Sequence, residues 1–291
     1  MQIPDSRRPA PHLDEQRDSA ERAADRGDAP PASVGRILIG CAGWSLPAAQ
    51  RARFGAGDSV LAAYATGLDA VEINSSFYRP HRRATYERWA ASVPARFRFS
   101  VKLPRAITHE AGLHGAGPML DAFLAQAGGL GDKLGALLVQ LPPSLRFDAA
   151  TTARFFAMLA RRSEVPAVCE PRHRSWFQPR AEALLQRYGV QRAGVDPAAP
   201  LAAAAEPSPY GRVRYWRWHG SPRIYYSRYP DQRLGALAAA LLARAGDGLD
   251  RWCVFDNTAA GHAVADALRL RGLCDASIDF GGASAATKEP L

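Results

Sequence analysis

The chain has 291 residues, 47% of them hydrophobic, and a formal net charge of +9 at neutral pH. Its length suits one large α/β barrel or two ordinary domains. It contains no run of about 18 apolar residues, which excludes a membrane-spanning helix.

Residues 1–34 are rich in Ala, Pro, Asp, Glu and Arg and hold no aromatic side chain. So little apolar surface cannot offset the entropy of ordering, and the segment is predicted to be a disordered tail. It has no apolar stretch of the kind a secretory signal needs. From residue 36 onward, short β-rich runs alternate with helical patterns. The first strand reads RILIGCAG, followed by DAVEIN, FRFSVK, LGALLVQ, PAVCE, VQRAGVD, VRYWRWHG and RWCVFDN. These runs are rich in Val, Ile, Phe and Trp, and most are bounded by Gly or Pro.

Helices fit between most of them. Val60, Tyr64 and Leu68 are spaced for one helical face, as are Tyr86, Trp89, Ala90 and Val93, and Leu120, Phe123, Leu124 and Ala127. Phe155, Phe156 and Leu159 continue the pattern. Pro179 suits a first turn and Gly189 a C-terminal cap around Ala181, Leu184, Leu185 and Tyr188. Leu234, Leu237 and Leu241 mark the seventh helix, and Val264 with Leu268 the eighth. The sixth connection, PAAPLAAAAEPSPYG, permits only a short helix.

Eight such units predict a single-domain (β/α)8 TIM barrel over residues 35–275, with a C-terminal extension over 276–291. A doubly wound open sheet is the alternative. No G-x-G-x-x-G follows the first strand, which counts against a dinucleotide-binding version.

In a barrel all eight C-terminal strand ends meet at one mouth. Here they carry Trp44 and Ser45; Glu72 and Asn74; Lys102; Gln140; Glu170; Asp196; Arg217 and His219; and Asp256 and Asn257. Strand alternation puts Val71 and Ile73 on one face and Glu72 and Asn74 on the other. If the apolar pair meets the helices, the polar pair points into the barrel, and Tyr215, Arg217 and His219 share a face by the same rule. Polar capping of a sheet edge explains Asn, Gln and Ser well. It explains inward Glu72, Lys102 and Glu170 poorly, because a desolvated charge is costly unless paired.

Seven acidic and five basic residues give the first 34 positions a net of −2, which leaves +11 for the remainder. That excess favours phosphate or nucleic-acid ligands. A compositional bias toward Arg, with only Lys102, Lys133 and Lys288 as lysines, would produce it as well. Cys41, Cys169, Cys253 and Cys274 form no CxxC; three lie in apolar strand-like runs, so buried thiols and a cytoplasmic location are expected.

The blocks VEINSSFYRP, FSVKLPRAITH, LGALLVQLPPSL, EPRHRSWF, WRWHGSPRIYYSRY and FDNTAAGHA, in this order, closely resemble the DUF72 or YecE-like family. The likeness runs from about Arg36 to Leu273. It implies a TIM barrel but no reaction, since the family is named for its unknown function. By fold analogy with the endonuclease IV and xylose isomerase group, it suggests sugar-phosphate or nucleic-acid substrates. The family's usual GTSGWSY is GCAGWSL here, so hydroxyls are missing at Cys41 and Ala42 and a ring at Leu46, while Trp44 is kept.

Three chemistries stay open. In the first, Lys102, Arg105, Arg172 and Arg217 bind the phosphate of a small ligand or nucleic acid. Tyr225, Tyr226 and Tyr229, interleaved with Arg223 and Arg228, and Phe77 and Tyr78 beside Arg79, would stack bases. In the second, Glu72 and Glu170 act as acid and base on a carbohydrate or other small molecule, with Lys102 or His219 transferring a proton. If the pocket is catalytic, hydrolysis of a phosphoester or glycoside is expected from Glu72, Lys102, Glu170 and His219. The remaining expected ligand contacts are Trp44, Asn74, Tyr78, Arg105, His109, Gln140, Arg172, His173, Trp176, Asp196, Arg217, Tyr225, Tyr229, Asp256 and Asn257. The third is a binding module for a phosphorylated metabolite, without catalysis. His109, His114, His173 and His219 with the carboxylates suffice for a single divalent metal, but no H-x-H or H-x-x-H spacing supports one, and none is predicted. Nothing in the sequence points to a protein partner.

Overall fold

The computed structural model describes residues 35–243 and 247–285. The tail expected over residues 1–34 lies outside them. Among the described residues nine strands form one parallel sheet: β1 (Ile37–Ala42), β2 (Ala70–Ile73), β3 (Arg98–Lys102), β4 (Leu134–Gln140), β5 (Ala167–Glu170), β6 (Gln191–Arg192), β7 (Gly194–Asp196), β8 (Arg214–Trp218) and β9 (Arg251–Phe255). Their order is β6-β5-β4-β3-β2-β1-β9-β8-β7. The two outermost strands are consecutive in the chain, so the sheet curls into the expected barrel.

The sixth strand differs from its expected form, because β6 and β7 are its two halves, parted at Ala193. β6 pairs with β5 and β7 with β8. The break has a local cause. Ser208 from the following loop occupies the backbone groups of Arg192, whose amide donates to Ser208 Oγ at 3.0 Å and whose carbonyl accepts from the Ser208 amide at 3.0 Å. Neither group is then left to extend a ladder toward β8.

The helices are α1 (Ala48–Arg51), α2 (Val60–Gly67), α3 (Arg83–Ala91), α4 (Gly117–Ala127), α5 (Ala149–Arg162), α6 (Pro179–Arg187), α7 (Asp231–Ala243) and α8 (His262–Ala285). α6 starts on Pro179 and ends as expected at Gly189, whose φ is +63°. The Val190 amide reaches back to the Leu185 carbonyl at 2.9 Å, and the Gly189 amide to that of Gln186 at 3.0 Å, which closes the helix end. The proline-rich sixth connection holds one short 3-10 turn, Ala202–Ala205. α8 continues unbroken through residue 275, so the boundary expected there falls inside a helix.

Alternation along the strands divides the core in two. Ile39, Cys41, Val71, Ile73, Phe99, Val101, Cys253 and Phe255 pack with helix residues such as Leu61, Tyr86, Leu120 and Leu268. Leu38, Ala70, Ala136, Leu138, Val168, Tyr215, Trp252 and Val254 form a second cluster that fills the barrel. All four cysteines are buried and free.

Candidate functional site

β8 sets the site. Trp216 and Trp218 belong to the outer core, so Tyr215 and Arg217 face inward, as strand alternation requires. Arg217 is buried at the upper end of the barrel and is shared by three carboxylates. Its Nη2 donates to Glu72 Oε1 at 2.7 Å, its Nε to Glu72 Oε2 at 3.0 Å, and its Nη1 to Glu170 Oε2 at 3.2 Å. Asp256 Oδ2 lies 2.9 Å from the same Nη2. One guanidinium thus joins β2, β5 and the end of β9. Burial works against its charge, but Asp256, Glu72 and Glu170 outweigh it and hold the Arg217 pKa well above the ordinary range. The Tyr215 hydroxyl lies 3.0 Å from Glu72 Oε2, to which it donates, and 3.0 Å from Ser100 Oγ. Burial, then the Glu72 charge, pushes that phenol well up.

Around this hub sits a second shell of charge. Arg172 Nε donates to Glu170 Oε1 at 2.6 Å, and its Nη2 lies 2.8 Å from His219 Nε2. His219 Nδ1 lies 3.1 Å from Asp256 Oδ2. A guanidinium only donates, so Nε2 must accept, and the ring proton sits on Nδ1 facing Asp256. Burial tends to raise the Glu170 carboxyl, but Arg172 and then Arg217 leave it well below the usual carboxylate range. Asp256 is lowered for the same reason: burial opposes ionisation, and Arg217, then His219, prevail.

Lys102 is the exception. It is 7% exposed, and its Nζ lies 4.1 Å from the centre of the Phe77 ring. Among the described residues it forms no ion pair; Glu72, Glu170 and Asp256 are bonded to Arg217 instead. Burial, then the neighbouring Arg217, lowers its pKa to about 8, and the three carboxylates only partly offset this. His109 packs edge-on with Phe77, ring centres 4.9 Å apart. Burial, then Lys102 and Arg105, lowers its pKa.

The structure therefore brings Glu72, Lys102, Glu170, Arg172, Arg217, His219 and Asp256 together. Tyr225 joins them from the loop after β8: its amide donates to the His219 carbonyl at 2.6 Å, and its ring centre lies 6.0 Å from the imidazole. Asn74 and Gln140 lie part-exposed at or just beyond the ends of β2 and β4, and Asn74 Oδ1 is buried without a partner among the described residues. Tyr78 is exposed beside Phe77, and Arg105 pairs with Glu110 at 3.3 Å on the surface.

Others fall elsewhere. Trp176 is 1% exposed, packs on Phe147 and donates from Nε1 to the Leu145 carbonyl at 2.9 Å. Tyr229 is 0% exposed, its hydroxyl accepting from the Gly220 amide at 2.8 Å. Both are core residues whose polar tips serve the backbone, which corrects their assignment as ligand contacts. Trp44 packs edge-on against Trp89 of α3, ring centres 5.0 Å apart. His173 caps the 3-10 turn Arg174–Phe177 by accepting from the Ser175 amide. Asp196 pairs with Arg233, and Asn257 Nδ2 donates to Asp266 Oδ2 at 2.7 Å and to the Ser227 carbonyl at 2.9 Å.

Sequence reasoning missed Ser100 and Asp266. Ser100 alternates with Phe99 and Val101, a signal of its inward position. Asp266 is an acid between Val264 and Leu268 on the buried face of α8. Among the described residues no three His, Cys, Asp or Glu side chains gather as a metal would require, because the carboxylates turn to arginine. No described helix is long and apolar enough to cross a membrane.

Comparison with known proteins agrees with this architecture. A DUF72 family protein of Enterococcus faecalis V583 shares the fold with a TM-score of 0.67 and 22% identity, over 82% of this chain and 95% of that one. A DUF72 family protein of Thermotoga maritima MSB8 gives 0.67 and 20%, over 82% and 99%. In sequence, the chain is 29% identical to the UPF0759 protein YunF of Bacillus subtilis over 149 residues, 49% of this chain and 53% of YunF. It is 27% identical to the UPF0759 protein YecE of Escherichia coli K12 over 160 residues, 55% and 57% of the two. These alignments span little more than half of either relative. The DUF72 description, a protein of unknown function, matches residues 38–288, and the chain belongs to that family.

Proposed function

We propose that the barrel mouth binds a small phosphate-bearing ligand, with Lys102 as its anchoring cation. One observation carries this reading: Lys102 is a nearly buried ammonium with no ion-pair partner among the described residues, beside carboxylates already committed to Arg217. The cluster of Lys102, Arg172 and Arg217 against Glu72, Glu170 and Asp256 is neutral overall, so general attraction of anions is weak. Local pairing decides instead. An incoming phosphate relieves the unpaired ammonium without breaking any existing ion pair.

The same pairing disfavours a glycosidase-type carboxylate pair. Glu170 is held ionised by two arginines and is a poor proton donor at neutral pH. If the ligand is transformed, Lys102, with its pKa lowered to about 8, is the better candidate for proton transfer.

A nucleotide or nucleic-acid end is a second reading, favoured by the exposed rim. Ile224, Tyr225 and Tyr226 stand exposed after β8, with Arg223 4.0 Å above the Tyr226 ring, and Tyr78 stands exposed after β2. Such rings can hold a base.

Calorimetric titration of inorganic phosphate, a nucleoside monophosphate and a single-stranded oligonucleotide at two salt concentrations tests both. The first reading expects phosphate or nucleotide binding that Lys102→Met weakens by about tenfold or more. Binding that survives Lys102→Met unchanged sinks it. Oligonucleotide affinity far above that of the mononucleotide, falling steeply with salt, selects the second.

A further inference from the structure

The opposite end of β9 carries another buried arginine. Arg251 opens the strand and, being next to inward Trp252, turns outward toward α8. It is 1% exposed. Its Nη2 bonds to the Gly35 carbonyl, while Nε and Nη1 are buried without a hydrogen-bond partner among the described residues. The acids near it are taken. Asp250 pairs with Arg36 at 2.5 Å, Asp69 with Arg271 at 3.0 Å and Arg96 at 3.4 Å, and Asp275 lies 3.7 Å from Arg271. An unpaired buried guanidinium is costly, so its presence asks for a compensating anion.

A cavity of about 540 Å³ lies beside it, between β1 and the helices α7 and α8. Ile37, Ile39, Leu242 and Cys274 give it an apolar wall. Four arginines, Arg251 among them, face two aspartates around it, leaving a net positive lining. The volume falls within the range of about 300–1,000 Å³ typical of small-molecule sites.

We propose that this cavity is a second ligand site, remote from the mouth, for an amphipathic anion: an acidic head on a short apolar chain. The head neutralises Arg251, whose guanidinium has no surface open to the cavity and so turns toward the head on binding; its planar fork then matches carboxylate or phosphate oxygens. The chain lies along Ile37, Ile39 and Leu242. Both a carboxylate and a phosphate head satisfy this chemistry, and they are separated by experiment.

Calorimetry with octanoate, octyl phosphate and octanol on the full chain provides the test. One equivalent of octanoate or octyl phosphate is expected to bind, the tighter of the two naming the head. Octanol should bind about tenfold more weakly or worse, since it cannot neutralise the guanidinium. Arg251→Met should abolish the preference for the acids. Leu242→Trp, which fills the cavity and keeps Arg251, should block all three; circular dichroism checks that both variants are folded. Equal binding of octanol and the acids, no binding at all, or binding unchanged by Leu242→Trp would overturn the proposal. So would binding that Lys102→Met abolishes, which would move the ligand to the mouth.

Discussion

Arg172 Nη2 and His219 Nε2 are 2.8 Å apart, and this contact decides where the imidazole keeps its proton. The guanidinium cannot accept, so the ring presents a lone pair to Arg172 and its N–H to Asp256. Nitrogen NMR at neutral pH should report the Nδ1-protonated tautomer for His219. Arg172→Met should release this preference. An Nε2-protonated ring in the unmodified protein would contradict the assignment.

Arg217 compensates Glu72, Glu170 and Asp256 at once. Arg217→Met therefore strands buried carboxylates and should cost about 3–5 kcal/mol of stability. Denaturant unfolding would measure it. The deficit should shrink in acid, where the stranded groups take up protons. A loss below about 1 kcal/mol, the scale of an exposed pair, would mean that the hub contributes little.

Glu170 and Asp256 both have pKa values lowered by the fold. The unfolded chain binds their protons first, so the stability they supply is complete above about pH 4 and is lost as pH falls through their native values. Unfolding midpoints across an acid pH series should fall steeply in that window. Glu170→Gln should flatten the slope while lowering stability at neutral pH.

Lys102 titrates in the opposite sense. Its native pKa of about 8 lies below that of an unfolded lysine, about 10.4, so its contribution to stability rises with pH between the two. With only three lysines in the chain, labelled-lysine NMR should resolve one ammonium titrating near 8, and that signal should vanish in Lys102→Met. Added phosphate should shift its midpoint upward if it binds there. A Lys102 midpoint above about 10 would remove the basis for the mouth reading.

Much of this was legible in the sequence because strands repeat every two residues. Glu72 and Arg217 were placed inward by parity alone, and the structure joins them. Parity cannot say how charges are shared, so the gathering of three acids on one arginine was not visible. Trp176 and Tyr229 were misread because an aromatic with a polar tip looks the same at a rim as in a core; only the partners of the tip tell them apart. The break at Ala193 depends on Ser208, about 15 residues downstream, and nothing within VQRAGVD announces it.

That break gives the barrel a seam. Cut there, the ring reads as two sectors, β1 to β6 and β7 to β9, hinged where β1 meets β9. Glu72, Lys102, Glu170 and Arg172 ride on the first sector; Arg217, His219 and Asp256 ride on the second. The bonds from Arg217 to Glu72 and Glu170, and from Arg172 to His219, all span the gap. The polar mouth is thus also a clasp, and the residues best placed to meet a ligand are those that keep the cylinder shut.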